Sequence, residues 1–149
     1  MIDKDLLRFS PNSNIVLFDY ETCNLNLGSL ENKPWQLAFL VVKNGKISYK
    51  KDYRLKWKGL KVSPDAARIT GFNEEKHNDL AVDPEIALKD FETYLYDDNF
   101  LNVGHNILGF DVYIHSLHRK LLNIKPDYSY INKCLDTVCL ARAIKKEIP

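Results

Sequence analysis

The chain has 149 residues, 45% of them hydrophobic and 28% charged, and a formal net charge of +1. That size and apolar content suit one domain with its own core, and no run of about 18 apolar residues exists to make a membrane-spanning helix. The near-neutral balance leaves no global field to steer the chain towards nucleic acid, although the charge is unevenly placed. Seven Lys and one Arg face one Asp between Lys43 and Lys61, while nine acids face two Lys between Asn73 and Asp98. Cys23, Cys134 and Cys139 are odd in number and lack CxxC spacing, which argues for free thiols in a reducing, cytoplasmic compartment. The start Met1-Ile2-Asp3-Lys4-Asp5 is not a signal peptide. Lys outnumbers Arg 16 to 5, the usage of AT-rich coding sequence from a virus or a low-GC bacterium. For a virus the expected location is the host cytoplasm.

In chain order, residues 1–13 form a polar leader. Ile15-Val16-Leu17-Phe18 then runs straight into Asp19-Tyr20-Glu21-Thr22, a buried strand ending in two carboxylates. Side chains on a strand alternate, so Asp19 and Glu21 share a face. Two neighbouring acids repel each other and are costly to desolvate, and a bound cation offsets both effects. Hard oxygen donors suit Mg²⁺ or Mn²⁺. The same residues also fit a strand that ends in solvent with two surface acids. Pro34 opens a second strand through Val42, and Asn44-Gly45 marks a hairpin. Ile47 to Leu55 alternates as a half-exposed third strand, so the first three strands form a meander. Lys50, Lys51, Arg54, Lys56 and Lys58, interleaved with Tyr49, Tyr53 and Trp57, suit either a nucleic-acid contact or a lysine-protected edge strand.

Ser63-Pro64-Asp65 starts a short helix closed by Thr70-Gly71. Asp83-Pro84-Glu85 starts another, with Ala87, Leu88, Phe91, Tyr94 and Leu95 as its buried stripe. Phe100 to Gly104 reads as a fourth strand, and a helix opens near Phe110 with Ile114, Leu117 and Leu121 at helical spacing. Asn123 to Lys133 is loop. Asp136 caps a last helix whose stripe, Thr137, Leu140, Ala141, Ile144 and Ile148, is expected to pack normally. The sum is a mixed α/β domain, with Asp19 and Glu21 at the carboxyl end of a central strand, where ligands gather in such sheets.

Asp19-Tyr20-Glu21-Thr22 resembles the first motif of the DEDD-type 3′–5′ exonucleases, the proofreading and RNA-trimming group that includes RNase T-like enzymes. Where the family often has Thr-Gly-Leu next, Cys23-Asn24-Leu25 keeps only the Leu. Gly104-His105-Asn106-Ile107-Leu108-Gly109-Phe110-Asp111 resembles the second motif, and Ala67 to Asn73 is similar to the loop between them, with Thr70 in the family's His position. Leu135 to Arg142 is similar to the helix that follows in proofreading subunits. The resemblance implies an RNase H-like fold over 14–149. It implies two Mg²⁺ or Mn²⁺ on the catalytic carboxylates Asp19, Glu21 and Asp111, and a single-stranded DNA or RNA 3′ end held by Thr22, Leu25, Thr70 and Asn106. A DNA polymerase is a further implied partner.

The family's third motif, Tyr-x3-Asp or His-x4-Asp, supplies a fourth carboxylate, and no such spacing follows Asp111. The domain is therefore expected to be C-terminally incomplete. Two rivals remain open: a non-catalytic nucleic-acid- or polymerase-binding module of the same fold, and a mononuclear metallohydrolase using Asp111, His115 and His118, which share a helical face.

Overall fold

The computed structural model describes residues 12–24 and 26–146. The strands are β1 (Asn14–Thr22), β2 (Pro34–Lys43), β3 (Lys46–Leu55), β4 (Ala81–Val82), β5 (Phe100–Gly104) and β6 (Cys134–Asp136). The helices are α1 (Pro64–Thr70), α2 (Glu74–Leu80), α3 (Pro84–Leu95), α4 (Asp111–Leu121) and α5 (Thr137–Lys146). One mixed sheet runs in the order β4-β3-β2-β1-β5-β6. β1 pairs antiparallel with β2 and parallel with β5, so the strand carrying the two acids is central. This is the α/β architecture with an antiparallel meander that the sequence leads one to expect.

Local chemistry explains most of the joints. Asn44 and Gly45 both sit at positive φ, 50° and 71°, as a two-residue turn matched to strand twist requires. The Ser63 side chain accepts from Ala66 N–H, Pro64 takes the first helical position, and left-handed Gly71 ends α1. Asp83 caps α3 by accepting from Glu85 N–H. The apolar face of α3 then meets β1 and β2: Val16, Phe18, Tyr20, Leu37, Phe39 and Val41 pack with Ala87, Phe91 and Leu95, joined by Val112 and Ile114 of α4.

Four elements were not anticipated, one of them the 3₁₀ helix Ser129–Lys133 within the stretch read as loop. In α2, Glu74 to Leu80 contains a single apolar residue and so has no periodic stripe. It forms because Asn73 accepts from Lys76 N–H and because the buried His77 ring lies against Trp35 and Phe72. The two-residue β4 and three-residue β6 exist through parallel pairing with β3 and β5, which no local pattern announces.

One expectation is corrected. The apolar stripe of α5 is not packed: Leu140 is 47% and Ile144 54% exposed. Ile148 lies outside the described residues. Among the described residues, the sheet face away from the core is open as well. Leu17, at 36% exposure, lines a cleft of about 640 Å³ with Ala38 and Leu40.

Candidate active site

Along β1 the side chains of Phe18, Tyr20 and Thr22 point into the core, which turns Asp19 and Glu21 to the opposite face. Asp111 is the first residue of α4 and is 1% exposed. Its Oδ1 accepts the Tyr20 backbone N–H at 2.7 Å, so the third carboxylate is tied to the residue between the other two.

The electrostatics are those of crowded acids. Burial raises the Asp111 carboxyl to about 8; the Tyr20 N–H opposes the rise, and the charges of Asp19 and Glu21 add to it. Burial raises Asp19, and burial followed by the Asp19 charge raises Glu21. None of the ion pairs among the described residues involves these three. Three hard oxygen donors, from exposed Asp19 to buried Asp111, without protein countercharge among the described residues have the chemistry of ligands for a hard divalent cation. The trio is not closed into a cage. Among the described residues no group of three His, Cys, Asp or Glu is already disposed to hold a metal ion.

The loop from β5 into α4 is held by Asp136. Its Oδ1 accepts from Asn106 N–H at 2.9 Å and Val138 N–H at 2.9 Å, and its Oδ2 from Leu108 N–H at 3.1 Å. Burial works to raise this carboxyl, but those donors, with Cys139 N–H, hold it below the usual range. The expected cap on the last helix is therefore present, and the same carboxylate also clasps the loop that aims Asp111. The signal in sequence was only the cap; the clasp spans 30 residues.

Asn106 sits in the loop at φ 60° with its side chain exposed. Thr22 and Thr70 line a cavity of about 260 Å³ beside Glu21, with Ser63, Asp65, Ala66, Ile69 and Phe110. Their hydroxyls already donate within the protein, Thr22 to Asn24 O at 2.6 Å and Thr70 to Ala66 O at 2.7 Å. Leu25 lies outside the described residues.

The histidines turn away from metal chemistry. His115 bonds the Tyr130 hydroxyl at 3.0 Å and Glu92 at 2.9 Å; His118 bonds the Tyr20 hydroxyl at 3.1 Å and Pro84 O at 2.9 Å. Both rings are fully buried and use both nitrogens, so neither joins Asp111 as a ligand, and neither is a surface residue. Exposed His105 bonds Thr137 Oγ1 at 3.0 Å. In the basic hairpin, Tyr49 and Tyr53 both donate to Asp90, and Lys51 lies over their rings. Arg54 pairs with Asp52 and stacks on Trp35. Among the described residues β3 is open over most of its length, since only Arg54 and Leu55 pair with β4, and lysines are what a protected edge strand carries.

A search among curated proteins finds no match. Solved structures do match. The product-bound structure of exonuclease I superposes with a TM-score of 0.76 at 16% identity, covering 90% of this chain and 32% of that one. Escherichia coli exonuclease I with a dT13 oligonucleotide gives 0.75 at 16% identity, covering 89% and 30%. The zinc-bound form of the E. coli exonuclease I–single-stranded DNA complex gives 0.76 at 16% identity, covering 89% and 30%. The chain thus spans about a third of the length of the structures it matches and shares their fold. The family model described as exonuclease, of RNase T type, matches residues 16–149, and the chain belongs to that family.

Proposed function

We propose that the chain hydrolyses phosphodiesters at the 3′ end of single-stranded nucleic acid, with Asp19, Glu21 and Asp111 as its catalytic carboxylates. The observation that supports this reading is the hydrogen bond from Tyr20 N–H to Asp111, made at the residue between Asp19 and Glu21, with none of the three acids in an ion pair among the described residues. The exonuclease family supports the reaction class, and the exonuclease I structures solved with single-stranded DNA support the substrate class.

The three carboxylates would hold two Mg²⁺ or Mn²⁺, which when bound supply an activated water and offset charge on the leaving oxygen. Asp111 must lose its proton before it can serve, and the Tyr20 N–H keeps one of its oxygens fixed for that state. The apolar walls Ala66, Ile69 and Phe110 receive the terminal nucleoside and exclude water around it. Asn106 and Asp136 hold the loop that sets the angle of α4. Three acids offset less metal charge than four, so the 149-residue chain is expected to bind metal weakly and to turn over slowly. The setting is a reducing cytoplasm, with the three cysteines as thiols.

A second reading, a non-catalytic module that binds nucleic acid or a polymerase, draws on the open arrangement of the trio. A long time course on 5′-labelled single-stranded DNA and RNA with Mg²⁺ and with Mn²⁺, paired with calorimetric metal titration, separates the two. Slow shortening from the 3′ end, lost in Asp19→Ala, is the expected result. Oligonucleotide binding with neither metal binding nor cleavage sinks the catalytic reading and leaves the module.

A further inference from the structure

The segment Lys56-Trp57-Lys58-Gly59-Leu60-Lys61 leads from β3 towards α1. Its three lysines are exposed, and none takes part in an ion pair among the described residues. The backbone beneath them is held in place. Lys56 N–H donates to Val82 O at 2.9 Å, Trp57 Nε1 to Pro34 O at 2.6 Å, and Lys33 Nζ to Lys58 O at 2.8 Å. Gly59 turns the chain at φ 68°, a conformation that a side chain would strain. The segment borders a cavity of about 450 Å³ whose other walls include Phe72 and His77.

Its position matters as much as its charge. Ser63 N–H donates to Cys23 O at 3.0 Å, which fixes the end of the segment one residue beyond Thr22. Ser63 also lines the cavity beside Glu21. The loop that carries these exposed lysines thus runs, two residues after Lys61, into Ser63, a wall of the pocket where a terminal nucleoside would sit. A trio of acids repels a polyanion, so a strand reaching that pocket needs cationic contacts close by. In the hairpin, Lys51 and Arg54 are engaged by rings and by Asp52, and Lys50 lines the open cleft with Asp19.

Resting on the exonuclease reading, we propose that Lys56, Lys58 and Lys61 form a phosphate lane. They take the backbone phosphates of single-stranded nucleic acid leading away from the terminal nucleotide. The recognised chemistry is a phosphate oxyanion, and a continuous phosphodiester backbone is the source, in preference to free phosphate.

The test is fluorescence anisotropy in EDTA with single-stranded oligonucleotides of increasing length over a salt series. The Lys56→Ala/Lys58→Ala/Lys61→Ala chain is compared with wild type and with Lys43→Ala/Lys46→Ala at the hairpin turn. Loss of three phosphate contacts is expected to make the log–log salt slope shallower by about 2 and to weaken long oligonucleotides by about 10–100-fold at low salt. The hairpin variant is expected to move the slope by less than half as much. Thermal melts confirm folding, which exposed lysines do not govern. An unchanged slope in the triple variant, with wild-type binding and cleavage intact, overturns the lane but not the exonuclease reading. Failure of the wild-type chain to bind any oligonucleotide overturns both. Displacement of a long oligonucleotide by equimolar inorganic phosphate identifies a free-phosphate site. Lysine-dependent binding of an acidic peptide, with lysine-independent binding of oligonucleotide, identifies a protein partner. Either of these two outcomes overturns the lane.

Discussion

Asp111 and His118 lie on the same helix and respond to pH in opposite directions. Asp111 is raised to about 8 in the folded chain from an ordinary value near 4, so its contribution to stability is full below pH 4 and is lost as pH rises to 8. His118 is lowered by burial to about 4, so its contribution is present above about pH 6.5 and is lost as pH falls towards 4. The two oppose each other in the acid range, and between about pH 6.5 and 8 only the Asp111 limb remains. With divalent ions chelated, the melting temperature is therefore expected to fall over that window, and added Mg²⁺ or Mn²⁺ to restore it. Asp111→Asn keeps an acceptor for the Tyr20 N–H and removes the desolvated charge. It should flatten the limb and raise apo stability at pH 8 by about 1–3 kcal/mol while abolishing the metal response. Differential scanning fluorimetry across pH, with and without metal, reads all three effects. A melting temperature in Asp111→Asn that falls as steeply as in wild type would discard the assignment.

At the scale of elements, the site depends on how closely β5 and its loop approach β1. A Cβ on Gly104 would meet Ile107 Cγ2 and come within 2.9 Å of Phe18 O, the carbonyl just before Asp19. Ile107 is fully buried and has no room to yield. Gly104→Ala is expected to destabilise by about 1–3 kcal/mol in urea unfolding and to weaken metal binding, because relief requires β1 to shift. Asp136→Asn tests the clasp. An amide cannot accept at both of its ends, so at least one backbone donor is left unpaired, at a cost of about 1–3 kcal/mol. Any residual cleavage should fall only modestly, since Asp136 orients the loop and its oxygens are already occupied by N–H groups. Complete loss of cleavage in a well-folded Asp136→Asn protein would make Asp136 a ligand.

At the scale of the whole molecule, the described residues cover one side of the sheet. α3 and α4 cover the face built from Val16, Phe18, Leu37 and Phe39, while Leu17, Ala38 and Leu40 line an open cleft on the other. The exposed stripe of α5 adds to the uncovered apolar surface. Leu140→Gln/Ile144→Gln should accordingly change the unfolding free energy by no more than about 0.5 kcal/mol. Phe91→Ala, in the covered layer, should cost about 3–5 kcal/mol. Parallel urea titrations compare the two, and a large loss in the α5 variant would mean that its stripe is packed in solution.

Sequence alone determined what neighbouring residues decide between themselves. The alternation of β1 put Asp19 and Glu21 on one face, Asn44-Gly45 closed a hairpin, and Ser63 and Asp83 started helices where their side chains reach backbone donors two or three residues on. The motif resemblance added Asp111 to the pair and led to the exonuclease family. Tertiary structure decided what depends on partners far along the chain. β4 and β6 exist only as pairings with β3 and β5. α2 has no stripe to read and is held by an Asn cap and a buried His. The Asp111 carboxylate meets an N–H 91 residues away, and the two histidines that share its helical face are drawn inward by Tyr20, Tyr130, Glu92 and Pro84. Local propensity acts within a turn or a strand, whereas a buried polar group must find its partner wherever the fold brings one within about 3 Å, and that distance is not written in sequence spacing.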